Sequence, residues 1–242
     1  MRPIQLSTAS THEPLADPRG RRLPLALAVT YGLLWVAAAV QPLDRDAWWL
    51  ENVLPLSLLA LLAGLYRHWH LSDVSHLCVA AFLALHLAGA HYGYTEVPVG
   101  EWLRGVFRAL GWGQRNPYDR VVHLAFGLLL VYPLREVLRP ALRRRWAAGP
   151  LAVVAVLALS GMYEVLEWGV ARLVAPATAS RFVGAQGDPW DAQQDMALAW
   201  VGATVVALAT AVAHRARART RQRVAPAPSP RHASAPVLSS GG

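Results

Sequence analysis

The sequence contains no lysine and one cysteine, and both shortages limit the kind of protein that it encodes. All 23 of the Lys and Arg positions are arginines, and the net charge of +8 comes largely from the chain ends and one internal loop. Because these basic segments are not interleaved with aromatic residues, we expect no nucleic-acid partner. The lone Cys78 excludes an internal disulfide. The N-terminal segment lacks the charged, apolar and small-residue pattern of a signal peptide, so no cleaved leader is expected.

Apolar residues, in contrast, are abundant and grouped in long blocks. They make up 55% of the 242 residues, which is too many for an ordinary soluble domain. We therefore predict an all-α, polytopic helical membrane bundle whose partner is the lipid bilayer. The blocks predict about six transmembrane helices, at 23–40, 53–66, 74–90, 117–138, 151–172 and 189–213. The second is short for a bilayer that needs about 20 residues, unless it starts near Trp48.

Polar segments flank this transmembrane domain, residues 23–213. Residues 1–22 are polar and basic, and residues 214–242 are basic and then rich in Pro, Ala and Ser, a composition typical of disorder. Within the long loop 92–116, apolar residues recur at helical spacing opposite charged ones: Trp102, Leu103, Val106, Phe107 and Leu110 against Glu101, Arg104 and Arg108. This pattern predicts one amphipathic helix, either at the membrane interface or over the mouth of the bundle.

The distribution of arginine predicts the orientation. The N-terminal segment, the turn at Arg67, the loop 139–145 and the C-terminal tail are basic, whereas the loop 44–51 is acidic. Positive residues accumulate on the cytoplasmic side. We therefore expect both termini on the cytoplasmic side of the membrane.

Two of the predicted spans begin with the same pattern of residues. Span four begins Asn116-Pro117-Tyr118-Asp119 with His123 four residues later, and span six begins Asp188-Pro189-Trp190-Asp191 with Asp195 four residues later. Asn116 and Asp188 are typical helix caps, which need no chemical role. The ionisable residues one turn deeper, His123 and Asp195, are expensive to place in a membrane and are therefore candidate functional residues.

The predicted topology brings further ionisable residues to the same outer region. Glu164 and Glu167 lie in the outer half of span five and share a helix face, and His86 lies at the outer end of span three. We take His86, Asp119, His123 and Asp195 as candidate metal ligands, and Glu164, Glu167 and Asp191 as candidate catalytic residues. Imidazoles and carboxylates suit a divalent metal such as Zn, Mn or Fe.

Each of these residues also has a structural explanation. Asp119 and Asp191 are equally suited to the positive ends of their helices. His123 is suited to a hydrogen bond between helices. The two glutamates are suited to ion pairs with Arg172 or Arg181. The joint placement of His86, His123, Glu164, Glu167 and Asp195 is harder to explain this way, because each buried charge needs a partner.

Four segments together resemble one known family: HLAGAHYGYTEVP (86–98), NPYDRVVH (116–123), YEVLEW (163–168) and GAQGDPWDAQQD (184–195). The chain from about Trp35 to Val212 is similar to the YjdF-like family of predicted bacterial inner-membrane proteins. The resemblance implies a polytopic inner-membrane protein. It assigns no activity and no catalytic residue.

Three functions remain open from the sequence. The first is a metal site or acid/base site acting hydrolytically, or as acid and base, on a lipid-borne or periplasmic substrate. The second is a scaffold whose polar residues only fix helix packing. The third, a proton or cation transporter, ranks last, because the inner halves of the spans offer little polar continuation. The substrate, the protein partners and the oligomeric state are not determined by the sequence.

Overall fold

The computed structural model describes residues 22–65, 71–109 and 115–224, which form helices and no strand. Both chain ends, residues 1–21 and 225–242, therefore lie outside the described residues. The α-helices are α1 (Arg22–Ala38), α2 (Arg45–Leu65), α3 (Asp73–Tyr92), α4 (Pro98–Ala109), α5 (Tyr118–Leu138), α6 (Ala148–Ala171), α7 (Pro176–Val183) and α8 (Asp191–Val224). Two short 3-10 helices, Arg139–Ala141 and Arg145–Ala147, connect α5 to α6.

Five of the described helices are long and apolar enough to cross a membrane. Their spans are Arg45–Gly64, Asp73–Tyr92, Tyr118–Ala141, Arg145–Ala171 and Asp191–Arg217. Helix α1 is also apolar, and its 17 residues are at the lower limit of the roughly 17–25 that span a bilayer. The predicted all-α membrane bundle is confirmed, with α1 as its shortest apolar helix.

Helix α2 begins at Arg45, and not at Val53 as the apolar run predicted. The Asp44 side chain accepts hydrogen bonds from the backbone N–H groups of Asp46 and Ala47, each at 3.0 Å. This cap starts the helix before its apolar run. The interpretation of residues 44–51 as an acidic loop was therefore wrong, and Glu51 lies on a buried helix face.

Two other helices differ from the sequence prediction. The loop before the last span contains α7, which begins at Pro176 and ends at Val183, where Gly184 caps it in the left-handed conformation (φ 67°). Helix α8 continues to Val224 and so includes residues from the tail predicted to be disordered. The segment after Ala213 is rich in Ala and Arg, which are among the strongest helix formers.

Helix α4 is the predicted amphipathic helix. Its Trp102 and Val106 side chains are 83% and 58% exposed, so an apolar surface remains uncovered by the other described residues. Such a surface suits the interface between water and lipid. Leu110, the last residue of the predicted pattern, lies outside the described residues.

Helix α5 lies at the centre of the compact unit that ends at Ala207. It packs against α3 and α6, and it crosses α8 so closely that the two backbones touch. A Cβ atom on Gly127 of α5 would collide with the Ala199 carbonyl oxygen, and one on Gly202 of α8 would lie 2.5 Å from the Leu124 carbonyl oxygen. Small residues at a helix interface allow membrane helices to approach each other this closely. This crossing fixes the relative position of the two helix starts that carry the site.

We expect Gly127→Ala to lower the free energy of unfolding by roughly 1–3 kcal/mol, because the added methyl group meets backbone atoms that cannot rotate away. Thermal unfolding of the purified protein measures this change. Gly32→Ala on α1 is the matched control, since nothing lies within 4 Å of its added Cβ; it should be neutral or stabilising by up to about 1 kcal/mol. Equal effects of the two substitutions would show that the α5–α8 contact is not tight.

Candidate functional site

The starts of α5 and α8 lie at the same end of the bundle, which we call the polar end. The side-chain oxygen of Asn116 accepts a hydrogen bond from the Tyr118 N–H at 3.0 Å, and that of Asp188 accepts one from the Trp190 N–H at 2.9 Å. These bonds place each following acid, Asp119 or Asp191, in the first turn of its helix. The backbone bond to Trp190, followed by the Arg120 guanidinium, lowers the pKa of Asp188.

Gln186 joins the two helix starts directly. Its side-chain oxygen accepts the Asn116 N–H at 2.9 Å, and its amide nitrogen donates to the Asn116 carbonyl at 3.0 Å. To make both bonds, the chain adopts positive φ at Gly184 (67°), Gln186 (50°) and Gly187 (84°). Glycine is suited to such angles. The sequence 184–187, GAQG, is therefore explained by this bridge.

Two arginines and two aspartates form an ion network across the helix starts, which we call the entry network. Arg115 pairs with Asp191 and lies 3.8 Å from Asp188; Arg120 lies 2.5 Å from Asp188 and 4.0 Å from Asp191. Both arginine side chains are buried, at 7% and 2% exposed. Asp191, a candidate catalytic residue, therefore has two guanidinium partners. The sequence analysis missed both arginines, although they flank the NPYD segment.

Within the first two turns of α5 and α8, three candidate ligands come together. Donor atoms of Asp119, His123 and Asp195 all lie within 4.8 Å of one another, although the residues come from two helices far apart in sequence. They are buried, with 8%, 9% and 1% of their surface exposed. The sequence analysis grouped these three residues, and the crossing of α5 and α8 brings them into one group.

Glu164 of α6 completes this group on a third helix. Its Oε1 atom lies 3.5 Å from His123 Nε2, which is itself 3.6 Å from Asp119 Oδ1. Among the described residues, neither Glu164 Oε1 nor Asp195 Oδ1 has a hydrogen-bond partner, although both atoms are buried. Buried carboxylate oxygens without partners are unusual in a folded protein. Their arrangement points to a proton or a cation as the missing partner.

His86, the fourth candidate metal ligand, lies apart from this group. Its Nε2 atom hydrogen-bonds the Glu51 carbonyl at 2.9 Å and its Nδ1 atom bonds the Tyr94 hydroxyl at 2.6 Å. Both ring nitrogens are thus engaged within the protein. Burial raises the pKa of Tyr94 well above its ordinary value, so this hydroxyl stays protonated. The geometry favours a structural hydrogen bond over metal coordination at His86.

Glu51 is a buried acid that the sequence analysis placed in a loop. It is 5% exposed on α2, and its Oε2 atom accepts a hydrogen bond from the Tyr163 hydroxyl at 3.0 Å. Glu167, a candidate catalytic residue, is 7% exposed and also interacts with Tyr163. The alternative explanation, ion pairs of the α6 glutamates with Arg172 or Arg181, is not found among the described residues, where Arg181 lies 3.8 Å from both Asp44 and Glu96.

The charges of the polar end divide into two groups. The entry network has two arginines and two aspartates and is balanced. Beneath it lies what we call the polar cluster: Glu51, His86, Tyr94, Asp119, His123, Tyr163, Glu164, Glu167 and Asp195. The arginines that act on its five carboxyl groups are already paired in the entry network: Arg115 lies 3.9 Å from Asp119, and the charge of Arg120 also acts on Asp119. Since burying uncompensated charge is very costly, these carboxyl groups must hold protons or a bound cation.

A cavity of about 420 Å³ opens beside the polar cluster, between α2, α3, α5 and α6. Its polar wall includes His86, Tyr94, Asp119 and His123, and its remaining walls are mostly leucine and other apolar residues. Its volume is in the range of small-molecule sites, roughly 300–1,000 Å³. The cluster is therefore accessible to a ligand.

The known proteins that this chain is similar to are membrane proteins. Residues 23–216 match the family described as "Predicted membrane protein (DUF2238)". This chain belongs to that family. It is 33% identical over 190 residues to the inner membrane protein YjdF of Escherichia coli (strain K12), covering 75% of this chain and 87% of that protein. No solved structure gives a significant match. The DUF2238 match contains every residue of the entry network and of the polar cluster, and it ends at residue 216, near the start of the C-terminal tail.

Substitution of Arg120 by Gln should destabilise this DUF2238 protein by roughly 3 kcal/mol, because it leaves Asp188 and Asp191 short of a buried partner. Arg181→Gln is the control: its side chain is 40% exposed and its ion pairs are 3.8 Å long, so the loss should stay below about 1 kcal/mol. The measurement is thermal unfolding in one detergent. If Arg120→Gln is as mild as the control, the entry network does not hold the helix starts together.

Proposed function

We propose that Asp119, His123 and Asp195 bind a divalent metal ion, and that the protein uses it to catalyse hydrolysis or acid/base chemistry at the polar end. One observation carries the proposal. Three buried donors from two helices lie within 4.8 Å of one another, and Asp195, 1% exposed, has an oxygen atom without a partner. A cation would satisfy that atom and offset the excess of carboxyl groups.

The donor set determines which metals fit. One imidazole and two carboxylates suit Zn, Mn or Fe(II) and leave coordination positions for water or substrate. A metal with an open position lowers the pKa of its bound water and supplies a nucleophile at neutral pH. Glu164, next to His123, is placed either to coordinate or to accept the proton of that water.

The other candidates have supporting roles in this proposal. Glu167 and Glu164 lie three residues apart on α6 and would form the acid/base pair of a metal-free version. Asp191 is held by Arg115 and Arg120 and would position the start of α8 above the site. His86 orients Tyr94 at the wall of the cavity.

A scaffold is the second candidate function, and the entry network supports it. The balanced ion pairs between Arg115, Arg120, Asp188 and Asp191, with the Gln186 bridge, are sufficient to fix α5 against α8. The polar cluster is less well explained, because a structural cluster would satisfy its own buried atoms. Transport has less support still, since below the cluster the core of α5, α6 and α8 consists of apolar residues such as Val131, Val156 and Ala203.

The proposal also includes a location. The distribution of arginine favours both termini in the cytoplasm of a bacterium, with the protein in the inner membrane. The polar end then faces the periplasm. The relative in Escherichia coli is named an inner membrane protein, which supports the choice of membrane.

Protein purified without chelators should contain about one equivalent of Zn, Mn or Fe by elemental analysis. The substitutions Asp195→Asn and His123→Ala each change a proposed ligand. Each should therefore lower the metal affinity by more than the roughly 10–100-fold loss that is usual when a neighbour of a ligand is changed. Glu96→Gln is the control, because this 55% exposed carboxylate lies outside the cluster. The affinity of the parent protein should fall as the pH is lowered, since protons compete for the ligands.

The same proteins separate the metal site from the scaffold. If the cluster is a binding site, the triple variant Asp119→Leu, His123→Leu and Asp195→Leu should remain folded and lose the metal, because stability and function separate at functional sites. If the cluster is structural, the single substitutions should lower stability by roughly 1–3 kcal/mol and the triple set should restore it, with no change in metal content. Absence of metal from the parent protein would refute the proposal.

Cysteine labelling tests the orientation. In a background without Cys78, Leu173→Cys should react with an impermeant reagent added outside cells, and Trp146→Cys should react after the inner membrane is opened. Both positions are well exposed, at 86% and 71%, and lie at opposite ends of α6. The reverse pattern would place the polar end in the cytoplasm.

A further inference from the structure

The cavity beside the polar cluster is elongated along α5. Its lining on that helix runs from Asp119 and His123 through Phe126 to Leu134, which is about 22 Å at 1.5 Å per residue. The polar residues stand at one end and apolar side chains line the rest. A ligand that fills this space therefore has a polar head and a long apolar body.

The cavity reaches the lipid-facing surface between α2 and α6. Helix α2 packs on α3 and α7, and α6 packs on α5 and α7, which leaves a lateral opening between them. Lining residues on both sides are also exposed, at 57% for Leu61 of α2 and 59% for Met162 of α6. In a membrane these side chains contact lipid, so an apolar chain can enter from the bilayer without crossing water.

The charges around the polar cluster restrict the headgroup. Arg115 and Arg120 are paired with Asp188 and Asp191, so they offer no unpaired cation to a phosphate or carboxylate. With a divalent metal on Asp119 and Asp195 and protons on the other three carboxyl groups, the region is close to neutral and gives a charged head of either sign little advantage. The hydroxyl oxygens of Tyr94 and Tyr163, whose protons bond His86 and Glu51, can still accept a hydrogen bond from a headgroup at the cavity wall.

We infer that the cavity binds a single-chain lipid with an uncharged polar head, such as an ester, which enters between α2 and α6 and brings its headgroup to Asp119 and His123. This inference rests on the proposed function for the role of the metal and names its class of substrate. The apolar lining recognises the chain, and an uncharged head is selected because a charged head of either sign would lack a counter-ion in this region.

A photoreactive monoacylglycerol, with a diazirine in its acyl chain, tests the inference on the full chain in nanodiscs. We expect crosslinks to peptides of α2, α5 and α6 that line the cavity. Met162→Trp should fill the opening and reduce labelling about tenfold or more. Val165→Trp is the matched control, because Val165 is 64% exposed on the same helix and does not line the cavity. Leu61→Trp on the opposite wall provides a second obstruction if Met162→Trp does not fold.

Competition experiments test the headgroup. Unlabelled monoacylglycerol of the same chain length should compete about tenfold better than the matching lysophosphatidate or long-chain amine. Equal competition by all three would show that bilayer chains fill the cavity without selection, which overturns the inference. Undiminished labelling of both Met162→Trp and Leu61→Trp, when folded, would do the same.

Metal content of the same samples separates this inference from the proposed function. A metal-containing protein with no selective labelling would refute the lipid site and leave the metal site standing. Selective labelling of a metal-free parent protein would refute the metal site and leave the lipid site standing. If the metal site and the lipid site are both correct, the metal content of the Met162→Trp variant should be unchanged, because residue 162 lies on the lipid-facing wall.

Discussion

Carboxyl groups inside an apolar bundle are the constraint on which this structure depends. A buried charge without a partner is far more costly than any single packing contact, so every element near the polar end is arranged around the acids. Two arginines neutralise Asp188 and Asp191 at the helix starts. The five carboxyl groups of the polar cluster have less compensation. This difference is the physical reason for proposing a functional role for the polar cluster and a structural role for the entry network.

The close contact of α5 and α8 connects packing to chemistry. Glycines at 127 and 202 allow the two backbones to touch, and the Gln186 bridge holds the preceding loops together. As a result Asp119, His123 and Asp195 lie in one group, although α6 and α7 separate Asp195 from the other two along the chain. The cavity then connects this group with the lipid between α2 and α6. A site at the end of an apolar cavity suits ligands that are dissolved in the membrane.

Much of the fold could be predicted from the chain alone, because apolar blocks of bilayer length have few alternatives to a helix. The predicted amphipathic helix and the caps Asn116 and Asp188 depend on local spacing, and the structure contains them. The start of α2 was misplaced, because the charged segment before its apolar run is also helical and is capped by Asp44. Helix α7 has only eight residues, too few for a periodic pattern to be recognised.

By itself, the sequence determined that the protein is a helical membrane bundle, and it predicted that each of two similar helix starts carries two ionisable residues on one face, Asp119 with His123 and Asp191 with Asp195. Spacing along a helix is enough for this, because residues four apart share a face. Only the tertiary structure decided which groups are partners: His86 bonds Tyr94, Glu51 joins the buried acids, and Arg115 and Arg120 hold the aspartates. These pairings join residues up to 112 positions apart. They depend on how the helices cross, which no local pattern encodes.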